Sequence, residues 1–260
     1  MISRSTDIKS ALRSRQRGFL LNPYRFGAGG LGDPYYSDVS LLLHADGTNG
    51  STTFTDNSPS PKTVTAYGNA QISTAQSKWG VASAYLDGAG DYLNVADSAG
   101  FDFGVGDFTV ELWLYQVATG AIRQVVGQHK TTGGASDNSF LVLSDASTIK
   151  LQVYSGTTTF SCDSPSAHSL NAWHHVACVR DDTTLRLFVD GTQVATASVG
   201  SSAINNSTQP VSIGAVMSSP GTPDPGGYYL NGYIDDLRIT KGVARYTADF
   251  TPPTAAFPNS

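Results

Sequence analysis

The chain has 260 residues and a net charge of −5, and of its 21 acidic residues only Glu111 is a glutamate. Aspartate, Gly, Ser and Thr in place of helix formers describe strands joined by turns, and the length suits one large all-β domain plus an appendage. The acidic total disfavours nucleic acid as a partner, no apolar run reaches the 18 residues of a membrane-spanning helix, and the N-terminus lacks the apolar region of a signal peptide, although its Arg- and Ser-rich start has transit-peptide character.

Residues 1–38 read as an N-terminal anchoring arm. Its first 30 residues carry Arg4, Lys9, Arg13, Arg15, Arg17 and Arg25 against Asp7 alone, a net of +5, which leaves −10 for the rest. A basic arm on an acidic body suggests a docking tail. Ile8, Ala11 and Leu12 have partial helical spacing, whereas the glycines and prolines from Gly18 to Pro34 forbid a continuous helix. A solvated linker normally lacks large apolar groups, and this segment is rich in them. Arg13, Arg15, Arg17, Phe19, Leu20, Tyr24 and Phe26 are therefore expected to anchor the chain on a partner, the arginines steering and the apolar groups adhering.

From residue 39 a period of two takes over. Strands are predicted at 39–44, 62–67, 70–74, 83–87, 91–95, 107–116, 122–129, 138–144, 149–154, 158–162, 173–180, 184–190, 193–199, 210–214 and 232–240. Asp190-Gly191 reads as a hairpin turn, because glycine readily takes positive φ. The Pro/Gly-rich stretch 218–228 reads as a long surface loop. Cys162 and Cys178 fit two readings, a bonded pair on neighbouring antiparallel strands or two reduced thiols.

Four ordered motifs carry a resemblance: Tyr85-Leu86-Asp87-Gly88-Ala89-Gly90-Asp91-Tyr92-Leu93, Asp107 to Tyr115, Trp173-His174-His175-Val176-Ala177, and Asn231 to Ile239. Together they resemble the laminin-G-like branch of the concanavalin A-like lectin/glucanase superfamily, over roughly Ser40 to Pro258. The resemblance implies an all-β jelly-roll sandwich of two antiparallel sheets at 39–260. Chains joining a basic aromatic strap to a domain beginning LLLHADGTNGSTTFTD also look like tailed-phage particle proteins. That implies a multi-copy virion structural protein, made in the host cytoplasm, with capsid or tail subunits as partners through residues 1–38. The competing reading is a free carbohydrate-binding module, calcium-assisted.

The resemblance further implies a calcium site joining the early Asp-rich loop to the last strand, with Asp46, Asp56 and Asp235 as its ligands. A metal-free cluster accepting backbone N–H bonds is the alternative. Glycan binding would fall on Trp113, Tyr115 and Phe188, with Trp79 and Trp173 expected in the core. No enzymatic activity is expected. Cleaving relatives need two carboxylates on one strand face, which a single glutamate cannot supply, and adjacent Asp235 and Asp236 should point to opposite faces. By the same alternation His174 and His175 should be structural rather than joint ligands of one metal.

Overall fold

The computed structural model describes residues 32–118, 122–219, 222–226 and 228–260. The anchoring residues Arg13, Arg15, Arg17, Phe19, Leu20, Tyr24 and Phe26 lie outside the described residues. Every predicted strand is present, some alternating apolar and polar residues and others, such as Val39–Leu43, buried throughout, with turn residues between them.

The larger sheet contains β1 (Val39–Leu43), β3 (Gln71–Ser73), β4 (Ser83–Asp87), β6 (Phe108–Gln116), β11 (Trp173–Asp181), β12 (Thr184–Val189), β13 (Thr192–Ser198) and β17 (Asn231–Lys241). Its order is β13-β12-β11-β6-β17-β4-β3, with β1 pairing β17. The second sheet contains β2 (Val64–Tyr67), β5 (Tyr92–Val95), β7 (Arg123–Gly127), β8 (Phe140–Asp145), β9 (Thr148–Ser155), β10 (Thr158–Asp163) and β14 (Val211–Ile213), in the order β10-β9-β8-β7-β14-β5-β2. All of these pairings are antiparallel. Within 218–228, read as loop, a short hairpin forms from β15 (Met217–Ser219) and β16 (Thr222–Pro223).

The core lies between the sheets. Val110, Leu112 and Leu114 of β6, Val176 and Cys178 of β11, and Ile234, Leu237 and Ile239 of β17 meet Val142, Leu151, Val153 and Ile213 from the other side. Cys162 and Cys178 belong to opposite sheets, not to neighbouring strands, and both are free and buried. Burial pushes the Cys162 thiol up to about 11 and Cys178 well above its ordinary value.

The side of the larger sheet facing away from the core also acquires a cover. The sandwich unit begins at Gly32, not at residue 39, so residues 33–38, assigned to the arm by sequence, pack on the sandwich. Tyr36 packs against Val39, Leu42 and Phe257, and its hydroxyl donates to the Asn57 carbonyl at 2.8 Å. The C-terminal segment adds Tyr246 and Phe250, stacked with centroids 3.6 Å apart, over Phe188 and His175.

Beneath this cover lies a buried ionic network. Arg238 donates to Glu111 Oε1 through Nε at 2.9 Å and Nη2 at 2.7 Å, and to Asp33 Oδ2 through Nη1 at 2.9 Å. Arg245 binds both oxygens of Asp33, at 3.0 and 2.7 Å, and the Tyr246 hydroxyl donates to Glu111 Oε2 at 2.8 Å. Burial alone would raise the Glu111 carboxyl, but Arg238, His175 and Arg245 hold it well below the usual carboxylate range.

Candidate functional site

Where the C-terminal cover stops, the outward face of the larger sheet carries a row of rings. Cross-strand register places Trp173 of β11 opposite Tyr115 of β6, Tyr115 opposite Tyr233 of β17, and Tyr233 opposite Tyr85 of β4. Since Val176, Leu114, Ile234 and Ala84 face the core, strict alternation turns all four rings outward. Their centroids are separated in turn by 5.4, 5.7 and 4.8 Å, and all four residues are half-buried. The row therefore crosses four strands, each ring partly exposed and in contact with its neighbour.

Polar groups border the row on both sides. One residue-pair along the sheet, Asp87 lies opposite Asn231, and at the β3 end Gln71 lies opposite Tyr85. On the other side Lys78 Nζ sits 4.0 Å from the Trp113 ring centroid and 5.3 Å from that of Trp79. Aromatic faces flanked by amides, a carboxylate and a cation suit a polyhydroxylated ligand, whose C–H faces stack while its hydroxyls find donors and acceptors.

Of the three residues assigned to glycan contact by sequence, only Tyr115 lies in this row. Trp113 is 4% exposed, packed edge-on against Trp79 and His175. Phe188 is fully buried under Tyr246 and Phe250. Both point outward from the sheet as alternation requires, but distant parts of the chain close over them. Trp79 and Trp173, expected in the core, are instead half-buried on the outer side. Tyr85, Tyr233 and Trp173 were missed because their alignment depends on register between strands remote in sequence.

Each of the three aspartates assigned to calcium accepts backbone N–H bonds. Asp46 Oδ1 accepts from Val81 N at 2.8 Å and Ala82 N at 3.1 Å. Asp56 accepts from Leu42 N and Ser58 N through Oδ1, and from the Ser58 hydroxyl and Lys62 N through Oδ2. Asp235 Oδ2 accepts from Lys78 N at 2.7 Å and Trp79 N at 3.0 Å. Among the described residues no group of three or more His, Cys, Asp or Glu could hold a metal ion. Through these bonds the carboxylates stitch loops to strands.

Asp235 and Asp236 do not face opposite ways. β17 exchanges β4 for β1 as its neighbour at this point, and its register against β6 shifts between Asp235 and Arg238. Asp236 takes φ of 50°, while Ile234 and Leu237 on either side both face the core. The bulge thus turns both carboxylates outward. They are 1% and 0% exposed, Asp236 bonding His44 and accepting from Phe257 N, so neither is open to a sugar. Burial, reinforced by Asp236 and Asp46, pushes the Asp235 carboxyl up to about 7. Burial lowers the His44 imidazole, but hydrogen bonds to Asp236 and Asn259 outweigh it, and the net shift is upward.

Two antiparallel sheets around one core, with an aromatic row on an open face, define a lectin-like sandwich. The family model described as concanavalin A-like lectin/glucanases superfamily, of the laminin G type, matches residues 87–245, and the chain belongs to this family. Among solved structures it is similar to the binding domain of paraclostridial mosquitocidal protein 1, with a TM-score of 0.61 and 12% identity over 81% of this chain and 51% of that one. It is also similar to the binding domain of botulinum neurotoxin DC in complex with SialylT, with a TM-score of 0.58 and 12% identity over 81% and 50%. A third is a structure for botulinum neurotoxin type C, which depends on interaction with two ganglioside molecules to enter cells, with a TM-score of 0.60 and 14% identity over 81% and 50%. The chain spans about half the length of these structures, and at such identity they share its fold. No curated protein matches the chain.

Proposed function

We propose that this protein is a glycan-binding display module of a tailed-phage particle, either head decoration or tail-associated, held by its N-terminal arm and cleaving no glycosidic bond. The observation that carries the binding part is the open row Trp173–Tyr115–Tyr233–Tyr85 with Asp87, Asn231 and Gln71 beside it. The SialylT-bound neurotoxin domain is a glycan-bearing relative in fold, which agrees with this reading. Glycosidic cleavage is disfavoured because Glu111 is locked among arginines and Asp235 and Asp236 are buried. Particle attachment is supported by the +5 carried by residues 1–30 ahead of −10 on the rest of the chain.

A glycan screen of the full chain, with and without calcium, tests the binding part. Binding independent of calcium is expected, and Tyr233→Ala should weaken it about tenfold or more by removing the ring between two neighbours. Binding unchanged in Tyr233→Ala, or no binding in either condition, would remove the aromatic row as the site. Binding only with calcium would favour the calcium-assisted free module.

A further inference from the structure

At one rim of the sandwich three side chains unrelated to the aromatic row are linked in series. Ser169 lies in the connection from β10 to β11, His174 near the start of β11, and Asp190 in the turn after β12. The Ser169 hydroxyl is 2.8 Å from His174 Nε2, and His174 Nδ1 is 2.6 Å from Asp190 Oδ2. The other carboxylate oxygen, Asp190 Oδ1, accepts the His175 backbone N–H at 2.9 Å, which fixes the carboxylate in place.

The contacts fix one proton position and constrain the other. A carboxylate only accepts, so Nδ1 carries the imidazole hydrogen and donates it to Asp190. In the neutral imidazole Nε2 then presents a lone pair, to which the Ser169 O–H 2.8 Å away can donate. That is the polarity of an activated serine: hydroxyl, base, and a carboxylate orienting the base.

Two further features lie close to Ser169 in the chain. A cleft of about 180 Å³ is lined by Ile149, Val189, Val194 and the residues just before the serine, Ala167 and His168, with Ser169 itself next in the chain rather than in the lining, and it is small and largely apolar. The backbone N–H groups of Ser169 and Leu170 have no backbone carbonyl partner among the described residues. Ser169 is exposed, so a substrate can reach it.

We propose that Ser169 and His174, oriented by Asp190, form a hydrolytic site for short-chain carboxylic esters. Ser169 Oγ attacks the ester carbonyl carbon as its proton passes to His174 Nε2. The bond from that carbon to the alkoxy oxygen breaks, and the alcohol leaves with the proton. Water then attacks the acyl-serine, gives a proton to His174, and releases the carboxylic acid as the proton returns to Ser169. The cleft limits the acyl group to about the size of acetyl or butyryl by its volume. The inference is independent of the glycan-binding reading, and either can fail alone.

The purified full chain is assayed with p-nitrophenyl acetate and with a fluorophosphonate probe followed by peptide mass spectrometry. The expected results are hydrolysis by the wild type, covalent labelling at Ser169, and a loss of about a hundredfold in rate in Ser169→Ala and in His174→Ala. Asp190 is a positioning residue, and its test is the pH profile. The bond to Asp190 raises the His174 imidazole above its ordinary value of 6.5 despite burial, so activity should fall as acid protonates it. Asp190→Asn keeps the left-handed backbone at φ 51°, which asparagine tolerates, and should move that acid limb to lower pH. No hydrolysis by the wild type, an undiminished rate in Ser169→Ala, or labelling absent from Ser169 would each overturn the proposal.

Discussion

At the scale of single residues, Asp235 shows how a family motif acquires physical consequences. The bulge in β17 puts it beside Asp236 and under the loop at Lys78 and Trp79, where burial penalises its charged form. Its carboxyl titrates near 7 in the folded protein against 3.8 ordinarily. Between those values the folded state binds more protons than the unfolded state, so stability falls as pH rises through this window. Asp235→Asn retains an oxygen acceptor for the two backbone N–H groups but cannot ionise. Relative to wild type the variant should gain stability from pH 4 to pH 8, by up to about 4 kcal/mol, in urea unfolding followed across that range. Parallel curves for the two proteins would show that Asp235 ionises without penalty.

At the scale of elements, the C-terminal segment depends on one turn. Gly191 joins β12 to β13 at φ +79°, and its carbonyl accepts Phe250 N at 2.8 Å. A Cβ there would overlap the Phe250 carbonyl and lie 2.9 Å from Pro252 Cδ. Gly200 is a useful contrast, with φ +57° and open space around it. Gly200→Ala should cost only about 1 kcal/mol for its backbone conformation, whereas Gly191→Ala should cost more and lift the cover from Phe188. Thermal melts of both variants, with a dye reporting exposed apolar surface, separate the two effects; equal melting temperatures would refute the role given to Gly191.

The same element explains which parts of the fold were legible in the sequence. The strands were, since alternation and Asp-Gly turns are local properties of the chain. The outward face was not, because Phe188 and Trp113 read as surface residues until Tyr246, Phe250 and the loop at Trp79 close over them. Register is equally non-local: nothing in the neighbourhood of Tyr233 announces that Tyr115 and Tyr85 flank it. The pairing of His174 with Asp190 was concealed for another reason. Alternation correctly separates His174 from His175, but a partner supplied by the next hairpin turn has no signature in that pattern.

At the scale of the whole molecule, the boundary between arm and sandwich determines how the anchoring role can be tested. Asp33 stands at the start of the sandwich unit and binds both Arg238 and Arg245, whose side chains are 0% exposed. Removing one partner of a buried ion pair leaves uncompensated charge and typically costs about 3 to 5 kcal/mol. A truncation that removes residues 1–38 therefore damages the sandwich itself, and loss of attachment in such a variant would say nothing about the arm. Removal of residues 1–31 leaves Asp33, Tyr36 and their contacts in place. That variant should melt within a few degrees of the full chain, retain its glycan binding, and fail to join particles assembled with it. The 1–38 truncation should melt distinctly lower, because Arg238 and Arg245 lose their shared carboxylate. If particles lacking residues 1–31 of this protein carry it at the normal copy number, its attachment belongs to the sandwich surface and the basic arm has another role.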